Sequence, residues 1–274
     1  MEKQITIRSG GLELAATLHY PTNEGYGKAD SRYPVIVLCH GFVGNRIGVN
    51  RIFVKAARRF SALGYMVVRF DYGGCGESTG DYGATGLDSM IEQTRHVLDY
   101  VTAHDCIDPE RIILLGHSLG GAAAILTAAK DKRVRTLVLW APVAHPFSDI
   151  VRICGKQVYE QSVAYGTADY LGYGLQPVFF ESLSLHHPFQ EIQKFAGDVL
   201  LVHGTADEVI PVDYSFLYQK VCWLRSDGQC DKEIIFQADH TFSAGDSIQQ
   251  VIRTTETWLT EMERRKIEWN GWTI

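Results

Sequence analysis

The sequence predicts an α/β fold in which a doubly wound, mostly parallel sheet carries helices on both faces. Short runs of apolar, largely β-branched residues recur without polar alternation, which is typical of strands buried on both faces of a parallel sheet. Longer stretches with apolar residues at helical spacing separate these runs. Because strand and helix alternate, right-handed crossovers would join about eight strands into one sheet.

Each element follows from its own pattern. Residues 5–8 and 12–20 flank Gly10 and Gly11, as expected of an opening β-hairpin. Amphipathic helices are predicted at residues 87–101 and 248–262, where apolar side chains return every three to four positions. The buried strands after the hairpin are predicted at residues 35–38, 66–70, 112–115, 137–140, 199–202 and 234–236.

One long segment breaks this rhythm. Residues 142–195 contain no clean strand pattern and are rich in Tyr, Phe, His and Gly. A structureless connection of this length is unusual inside a compact domain. We therefore predict that residues 142–195 form a helical cap, inserted into a core made of residues 1–141 and 196–274.

Composition excludes several functional classes. The 26 Lys and Arg against 32 Asp and Glu leave a net charge of −6, opposite in sign to what a dedicated nucleic-acid binder needs. No apolar run approaches the roughly 20 residues of a transmembrane helix, and the first residues lack the apolar core of a signal peptide. The six cysteines show no CxxC spacing, which favours reduced thiols. We expect a cytoplasmic protein without nucleic-acid or membrane partners, and a homodimer stays open.

Residues 116–120 read G-H-S-L-G and fit the G-x-S-x-G pattern. An apolar strand precedes the motif and an Ala-rich helix follows it, which is the context that gives the pattern meaning. A serine on such a sharp turn presents its hydroxyl to solvent, and the flanking glycines avoid collisions with the neighbouring strand and helix. We therefore predict that Ser118 is a nucleophile.

A serine hydroxyl becomes a good nucleophile only when an oriented base takes its proton. Asp207 follows the strand at 199–202 and His240 follows the strand at 234–236, so both lie at the same sheet edge as Ser118. Their order along the chain, Ser then Asp then His, is the order in which such a serine and its partners occur in an α/β fold of this kind. Asp239 and Asp213 are rivals, but we interpret Asp239 as a turn former and Asp213 as a helix-start acid.

Histidines also invite a metal interpretation, because His40, His117 and His203 all follow strands. They show no H-E-x-x-H or comparable ligand spacing, so we predict no metal and no cofactor. His145 and the pair at 186–187 lie in the cap segment, where a polar surface is the favoured interpretation.

An acyl-transfer site also needs two N–H donors for the oxyanion. The backbone of Leu119 is one candidate, since it follows the nucleophile and starts a helix whose dipole favours negative charge. The other is the backbone of Phe42 in the loop at 39–43, where Gly41 lets the chain bend. The alternative is that His40 and Gly41 only end a strand in a turn.

The segments at 38–42, 70–78 and 116–120, with the loops at Asp207 and His240, resemble the α/β-hydrolase family over nearly the whole chain. Within it, the chain is similar to bacterial carboxylesterases of the cinnamoyl (feruloyl) esterase type. The shared features are H-G-F followed by N-R at 45–46, the insertion after the sixth strand, and H-G-x-x-D-x-x-[IV]-P at 203–211. The chain departs from that subgroup at Leu119, where its members often have Gln. The resemblance implies that Asp71 is a structural turn former.

These observations predict a serine carboxylic-ester hydrolase that acts on a small-molecule ester, with short-chain or hydroxycinnamoyl acyl groups. A serine aminopeptidase or a thioesterase on the same scaffold is the nearest alternative, and a non-catalytic binding protein is the alternative from another class. The cap segment is rich in aromatic residues, which would form its own small core or line a flat slot beside Ser118. The candidates for that slot are Tyr159, Tyr165, Tyr170 and Tyr173.

Overall fold

A central sheet organises the computed structural model, which describes residues 1–22 and 32–270. Within these residues, eight strands form the sheet in the order β1-β2-β4-β3-β5-β6-β9-β10, and β7 pairs separately with β8. The strands are β1 (Glu2–Ser9), β2 (Leu12–His19), β3 (Tyr33–Cys39), β4 (Met66–Phe70), β5 (Ile107–His117), β6 (Val134–Trp140), β7 (Ala168–Tyr170), β8 (Tyr173–Leu175), β9 (Asp198–Gly204) and β10 (Cys230–Ile235). The mostly parallel, doubly wound fold predicted from sequence is confirmed.

Strand direction follows the connections. The predicted hairpin pairs β1 with β2, Ser9 opposite Leu12, and β2 also runs antiparallel to β4. The pairs from β4 through β10 are parallel. The last strand ends at Ile235, one residue earlier than its apolar run predicts, and Phe236 is 76% exposed.

Helices cover both faces of the sheet. They are α1 (Ile52–Ala62), α2 (Leu87–Thr102), α3 (Leu119–Ala128), α4 (Pro146–Cys154), α5 (Lys156–Tyr165), α6 (Pro177–Ser184), α7 (Pro188–Glu191), α8 (Asp213–Cys222) and α9 (Ser247–Asn270). The predicted helices at 87–101 and 248–262 correspond to α2 and α9. None of the helices in the described ranges is long and apolar enough to span a membrane.

Alternate strand residues face opposite layers of the core. In β3, Ile36 and Leu38 join a cluster with residues of α1 and α9, whereas Val35 and Val37 join a cluster with residues of α2, α3 and α8. Both faces are therefore apolar, because side chains on a strand point alternately to either side. This explains why the strand runs show no polar alternation.

Between β6 and β9 the chain forms α4 to α7 and the β7–β8 hairpin. No strand was predicted in residues 142–195, and that expectation is wrong for this hairpin. Its strands have three residues each, too few to produce a sequence pattern, and they are joined by Leu171 and Gly172, which have φ of 53° and 85°. Two consecutive left-handed residues are what a tight two-residue hairpin turn requires.

Candidate active site

Ser118 lies at the sharp turn between β5 and α3, with φ 57° and ψ −124°. A positive φ is uncommon for a residue with a side chain and costs about 1–3 kcal/mol. A Cβ at Gly116 would lie 2.4 Å from the carbonyl oxygen of Gly120, and one at Gly120 would lie 2.2 Å from that of Cys39. Glycine at both positions therefore lets α3 start this close to the sheet.

The structure brings Ser118, His240 and Asp207 together at the carboxyl edge of the sheet. His240 Nε2 lies 3.0 Å from Ser118 Oγ, and His240 Nδ1 lies 2.8 Å from Asp207 Oδ2. Asp207 is fully buried and the His240 side chain is 12% exposed. An ionised carboxylate only accepts hydrogen bonds, so Nδ1 carries the hydrogen and Nε2 offers its lone pair to the serine hydroxyl.

Asp207 is held by four donors. The backbone N–H groups of Val209 and Ile210 donate to Oδ1 at 2.9 and 2.8 Å, while the rings of His240 and His203 donate to Oδ2. Burial raises the pKa of Asp207, but hydrogen bonds from His203 and His240 outweigh that effect and hold this pKa well below its ordinary value. The carboxylate is therefore ionised throughout the neutral range.

The second histidine on Asp207 was not predicted as a site residue. From the sequence, His203 only follows a strand and shows no metal-ligand spacing. The signal available in the sequence is its position four residues before Asp207 in the same segment, 203–211. That spacing alone does not distinguish a partner of the carboxylate from a turn residue, because only the folded loop returns the aspartate to the ring.

Two backbone amides lie near Ser118. Leu119 N–H belongs to the first residue of α3, and Phe42 N–H follows Gly41, whose Cβ position would be 3.4 Å from Ser118 Oγ. Neither amide donates to an acceptor within residues 1–22 and 32–270. Both N–H groups are therefore available to a ligand atom. The Leu119 N–H also lies at the positive end of the α3 helix dipole, which favours a negatively charged ligand atom.

A cavity of about 140 Å³ opens beside Ser118. Its walls come from the loop after β3, the start of α1, and the turns that carry Ser118 and His240. The lining residues are His40, Gly41, Phe42, Gly44, Asn45, Gly48, Val49, Ile52, Phe53, His117, Ser118, His240 and Thr241. None of the four predicted cap tyrosines is among them.

Two of those tyrosines contact aromatic residues at or near the loop after β3. The ring of Tyr170 stacks on Phe42, with centroids 5.4 Å apart and planes at 22°. Tyr173 packs edge-on against Tyr82, with centroids 5.7 Å apart. The β7–β8 hairpin thus brings Tyr170 into contact with a residue of the site, whereas Tyr173 lies one ring further away.

The other two tyrosines lie elsewhere in the cap segment. Tyr159 packs edge-on against Phe147 and Phe180, at centroid distances of 5.3 and 5.2 Å. It contributes to the small core of the cap segment, which was the alternative interpretation. Tyr165 is 80% exposed at the end of α5. The structure does not bring Tyr165 to the cavity, because that end of the helix points into solvent.

The rival acids have other partners. Asp239 Oδ1 and Oδ2 accept from the N–H and hydroxyl of Ser243 at 2.6 and 2.8 Å, as in a turn. Asp213 lies in the first turn of α8. Asp71 is fully buried and pairs with Arg46. These positions agree with the turn, helix-start and structural roles interpreted from sequence.

Two histidines beside the site are buried and make fixed contacts. His40 Nε2 accepts from Tyr72 N–H at 3.0 Å, and Nδ1 donates to Gly41 O at 2.9 Å. His117 Nε2 donates to His240 O at 2.8 Å. Burial lowers the pKa of His40 to about 4, and burial with the nearby His240 lowers that of His117 to about 3. Both rings are therefore neutral at pH 7.

The histidines of the cap segment lie apart from Ser118. His186 Nε2 lies 2.9 Å from Asp88 Oδ1, and the ring of His145 packs against Phe189 with centroids 5.4 Å apart. In the part of the chain that the structure describes, no group of three His, Cys, Asp or Glu side chains is arranged to hold a metal ion.

Known structures share this architecture. Est1E from Butyrivibrio proteoclasticus, solved with bound ferulic acid, superposes with a TM-score of 0.79 at 22% identity, covering 94% of this chain and 98% of that one. DcsB, solved with a substrate analogue, gives a TM-score of 0.74 at 16% identity over 93% and 97% of the two chains. A family model described as serine aminopeptidase, S33, matches residues 30–162. The chain has the α/β-hydrolase fold.

Curated relatives of this chain match over parts of their length. The quorum-quenching protein AidA of Acinetobacter baumannii is 33% identical over 146 residues, which are 53% of this chain and 45% of that protein. Lysophosphatidylserine lipase ABHD12 of Gallus gallus is 29% identical over 193 residues, 66% of this chain and 45% of that protein. The chain therefore spans less than half the length of these relatives.

Proposed function

We propose that this protein is a serine carboxylic-ester hydrolase of the α/β-hydrolase superfamily and works through an acyl-enzyme. The observation that carries the proposal is the hydrogen-bonded series Ser118–His240–Asp207, with distances of 3.0 and 2.8 Å, at the strained turn before α3. Nucleophile, base and orienting acid within hydrogen-bond reach are the arrangement that activates a hydroxyl.

Acylation follows from this arrangement. Ser118 Oγ attacks the ester carbonyl carbon while its proton passes to His240 Nε2. Asp207 keeps its bond to Nδ1 and stabilises the imidazolium that forms. The Phe42 and Leu119 N–H groups donate to the oxyanion of the tetrahedral intermediate. His240 then protonates the leaving alkoxide oxygen, the C–O bond breaks, and the acyl group stays on Ser118.

Water completes the cycle by the same steps in reverse. His240, neutral again, takes a proton from water as the water oxygen attacks the acyl carbon. The second tetrahedral intermediate collapses, Ser118 Oγ leaves with the proton from His240, and a carboxylic acid departs. These steps need no cofactor.

The cavity supports compact substrates. Its volume of about 140 Å³ is close to that of an engineered cavity of about 150 Å³ that binds benzene. Ile52 and Phe53 give it an apolar wall. We favour short-chain or hydroxycinnamoyl acyl esters, because a long flexible chain loses rotamer entropy that so small a pocket does not offset.

The cap segment also belongs to the proposal. Residues 142–195 would cover the strand ends. The ring of Tyr170, stacked on Phe42, would bring an aromatic face next to the loop after β3, which carries one of the two N–H donors. The ferulic acid bound to Est1E, at 22% identity, is what suggests the aromatic acyl group.

A cytoplasmic location is supported by the six cysteines, which are free thiols with Cys106 exposed.

A direct test combines labelling with turnover. A fluorescent organophosphate should label the wild-type chain and S118A should stay unlabelled, with S184A, an exposed serine in the cap segment, as the matched control. Hydrolysis of p-nitrophenyl butyrate and methyl ferulate should require Ser118 in the same way. A wild-type chain that neither reacts with the label nor hydrolyses any ester would refute the proposal in favour of a binding protein.

The family model favours one second candidate. Because it is described as serine aminopeptidase, an amide substrate is the natural alternative on this site. Kinetics with amino-acid p-nitroanilides, measured beside p-nitrophenyl esters, would distinguish aminopeptidase from esterase activity. Acyl thioesters in the same assay would test the thioesterase alternative predicted from sequence. A kcat/KM on a p-nitroanilide above that on every ester would replace ester hydrolysis with aminopeptidase activity.

A further inference from the structure

The carboxylate of Asp207 lies between two histidines. Its Oδ2 is 2.8 Å from His240 Nδ1 and 3.0 Å from His203 Nε2. On the far side, His203 Nδ1 lies 2.7 Å from Ser215 Oγ. The resulting order is Ser118–His240–Asp207–His203–Ser215, so each imidazole that binds the carboxylate also contacts a serine hydroxyl.

The hydrogen positions on His203 follow from its partners. Nε2 faces Asp207 Oδ2 and also Ile210 O, at 3.0 Å each, and both oxygens are acceptors. Nε2 therefore carries the hydrogen, and in the neutral ring Nδ1 accepts from the Ser215 hydroxyl. The two acceptors at Nε2 thus fix the tautomer that donates to the carboxylate, and the Ser215 hydroxyl supplies the matching donor at Nδ1.

All parts of this extension are buried and come from different elements. His203 and Ser215 are each 0% exposed. The histidine lies on β9, the serine lies in the first turn of α8, and Asp207 lies in the loop between them. A loop residue has little intrinsic rigidity, so hydrogen bonds to the adjoining strand and helix are what can set its side-chain direction.

Each oxygen of Asp207 has its own fixed partners. Oδ1 accepts the N–H groups of Val209 and Ile210, and Oδ2 accepts from His203. With these three bonds made, rotation of the carboxylate would break at least one of them. The remaining lone-pair direction of Oδ2 is directed at His240, and the bond from His203 lowers the pKa of Asp207 in the same sense as the bond from His240.

We propose that His203 and Ser215 are positioning residues that hold the Asp207 carboxylate towards His240. This inference rests on the proposed function, because it assigns them to the same acyl-transfer site. They touch neither the nucleophile nor the cavity, so they act only through Asp207. A role in packing alone would predict loss of stability without a specific loss in the reactivity of Ser118.

The experiment measures the rate of organophosphate labelling of Ser118 and kcat/KM on p-nitrophenyl butyrate. H203L should lower both about 10- to 100-fold, the size expected for misplacing a catalytic group by a fraction of an ångström to 1 Å. H203Q, whose amide N–H can replace the donor at Nε2, should stay within about fivefold of wild type. H187N, an exposed histidine in the cap segment, is the control and should match wild type.

A double-mutant cycle separates positioning from packing. If His203 acts through Asp207, adding H203L to D207N should change the labelling rate less than about threefold, because residues that act as a unit are not additive. S215A is a smaller change that keeps the His203 ring and should lower kcat/KM severalfold. It replaces H203L as the test variant if H203L fails to fold. Equal losses from H203L in both backgrounds, or wild-type activity of S215A, would overturn the inference. Equal organophosphate labelling of the wild-type chain and of S118A would instead refute the proposed function.

Discussion

Adding one methyl group beside the nucleophile is a stringent perturbation of this site. In G41A the new Cβ would lie 3.0 Å from Ser118 Cβ, 3.3 Å from His117 O and 3.4 Å from Ser118 Oγ. Ordinary contacts begin near 3.4 Å, so the neighbours need to move by only a few tenths of an ångström. The backbone at Gly41 is not left-handed, and we expect a stability loss of about 1 kcal/mol, at the low end for overpacking.

The activity loss should be much larger than the stability loss. Gly41 lines the cavity, and its added methyl would occupy space next to Ser118 Oγ, where the substrate carbonyl has to approach. Reacting atoms need to approach to roughly 3–3.5 Å, and a misplacement of about 1 Å costs on the order of 10²-fold. We therefore expect kcat/KM of G41A to fall about 10²-fold while the protein stays folded.

Two further glycines calibrate the result. In G120A the Cβ would lie 2.2 Å from Cys39 O and 2.4 Å from His40 O, both backbone atoms, so α3 would have to move about 1 Å from β3. This variant should lose about 3 kcal/mol or more as well as its activity. In G11A nothing lies within 4 Å of the new Cβ, and both quantities should match wild type.

The assay is kcat/KM on p-nitrophenyl butyrate together with urea unfolding of the three variants. The expected order of stability is G11A, then G41A, then G120A, whereas activity should separate G11A from both others. The reasoning is refuted if G41A keeps wild-type kcat/KM, since the loop would then lie away from the nucleophile. It is equally refuted if G41A and G120A lose the same stability.

Three other predictions use the same measurements. S118A and H240A should lower kcat by about 10⁴- to 10⁶-fold and D207N by orders of magnitude, whereas D239N should stay near wild type; a dead D239N beside an active D207N would reassign the acid. Burial lowers the pKa values of His19 and His40 to about 4 and of His117 to about 3, below the ordinary 6.5, so the unfolded chain binds protons first as the pH falls. The free energy of unfolding should therefore be steady above about pH 7 and decline between about pH 6.5 and 4, by about 1.4 kcal/mol per pH unit for each imidazole, as urea unfolding would measure; a flat profile there would contradict the burial argument. Because the cavity is about 140 Å³, p-nitrophenyl esters of about two to six carbons should be hydrolysed faster than those of about twelve, and rates that rise steadily with chain length would indicate a lipase instead.

Local sequence patterns were enough to predict three residues of the candidate site. Ser118 could be placed because G-x-S-x-G needs a strand before it and a helix after it, and both patterns are local. Asp207 and His240 could be placed because each directly follows an apolar strand, and parallel strands end at one edge. Whether the three side chains are within hydrogen-bond distance is a question about the paths of loops, and the structure has them at 3.0 and 2.8 Å.

In the cap segment, sequence patterns did not predict where each aromatic side chain lies. Its aromatic residues were visible, but Tyr159 packs within the segment, Tyr165 is exposed, and Tyr170 stacks on Phe42. The same residue type in the same segment has three different surroundings, because an insertion has no sheet to impose a period on it. The β7–β8 hairpin was missed for the same reason, since three-residue strands carry no pattern.

By itself, the sequence determined the alternation of strands and helices outside residues 142–195, the sharp turn at Ser118 and the sheet edge at which its partners lie. These features depend on backbone propensity and on apolar periodicity, which act over a few neighbouring residues. Only the tertiary structure decided that His203 shares the carboxylate of Asp207, that Ser215 contacts the other nitrogen of that ring, and that the cavity lies against α1. Those contacts join a strand, a loop and a helix by hydrogen bonds and packing between distant residues, and such bonds leave no period in the chain.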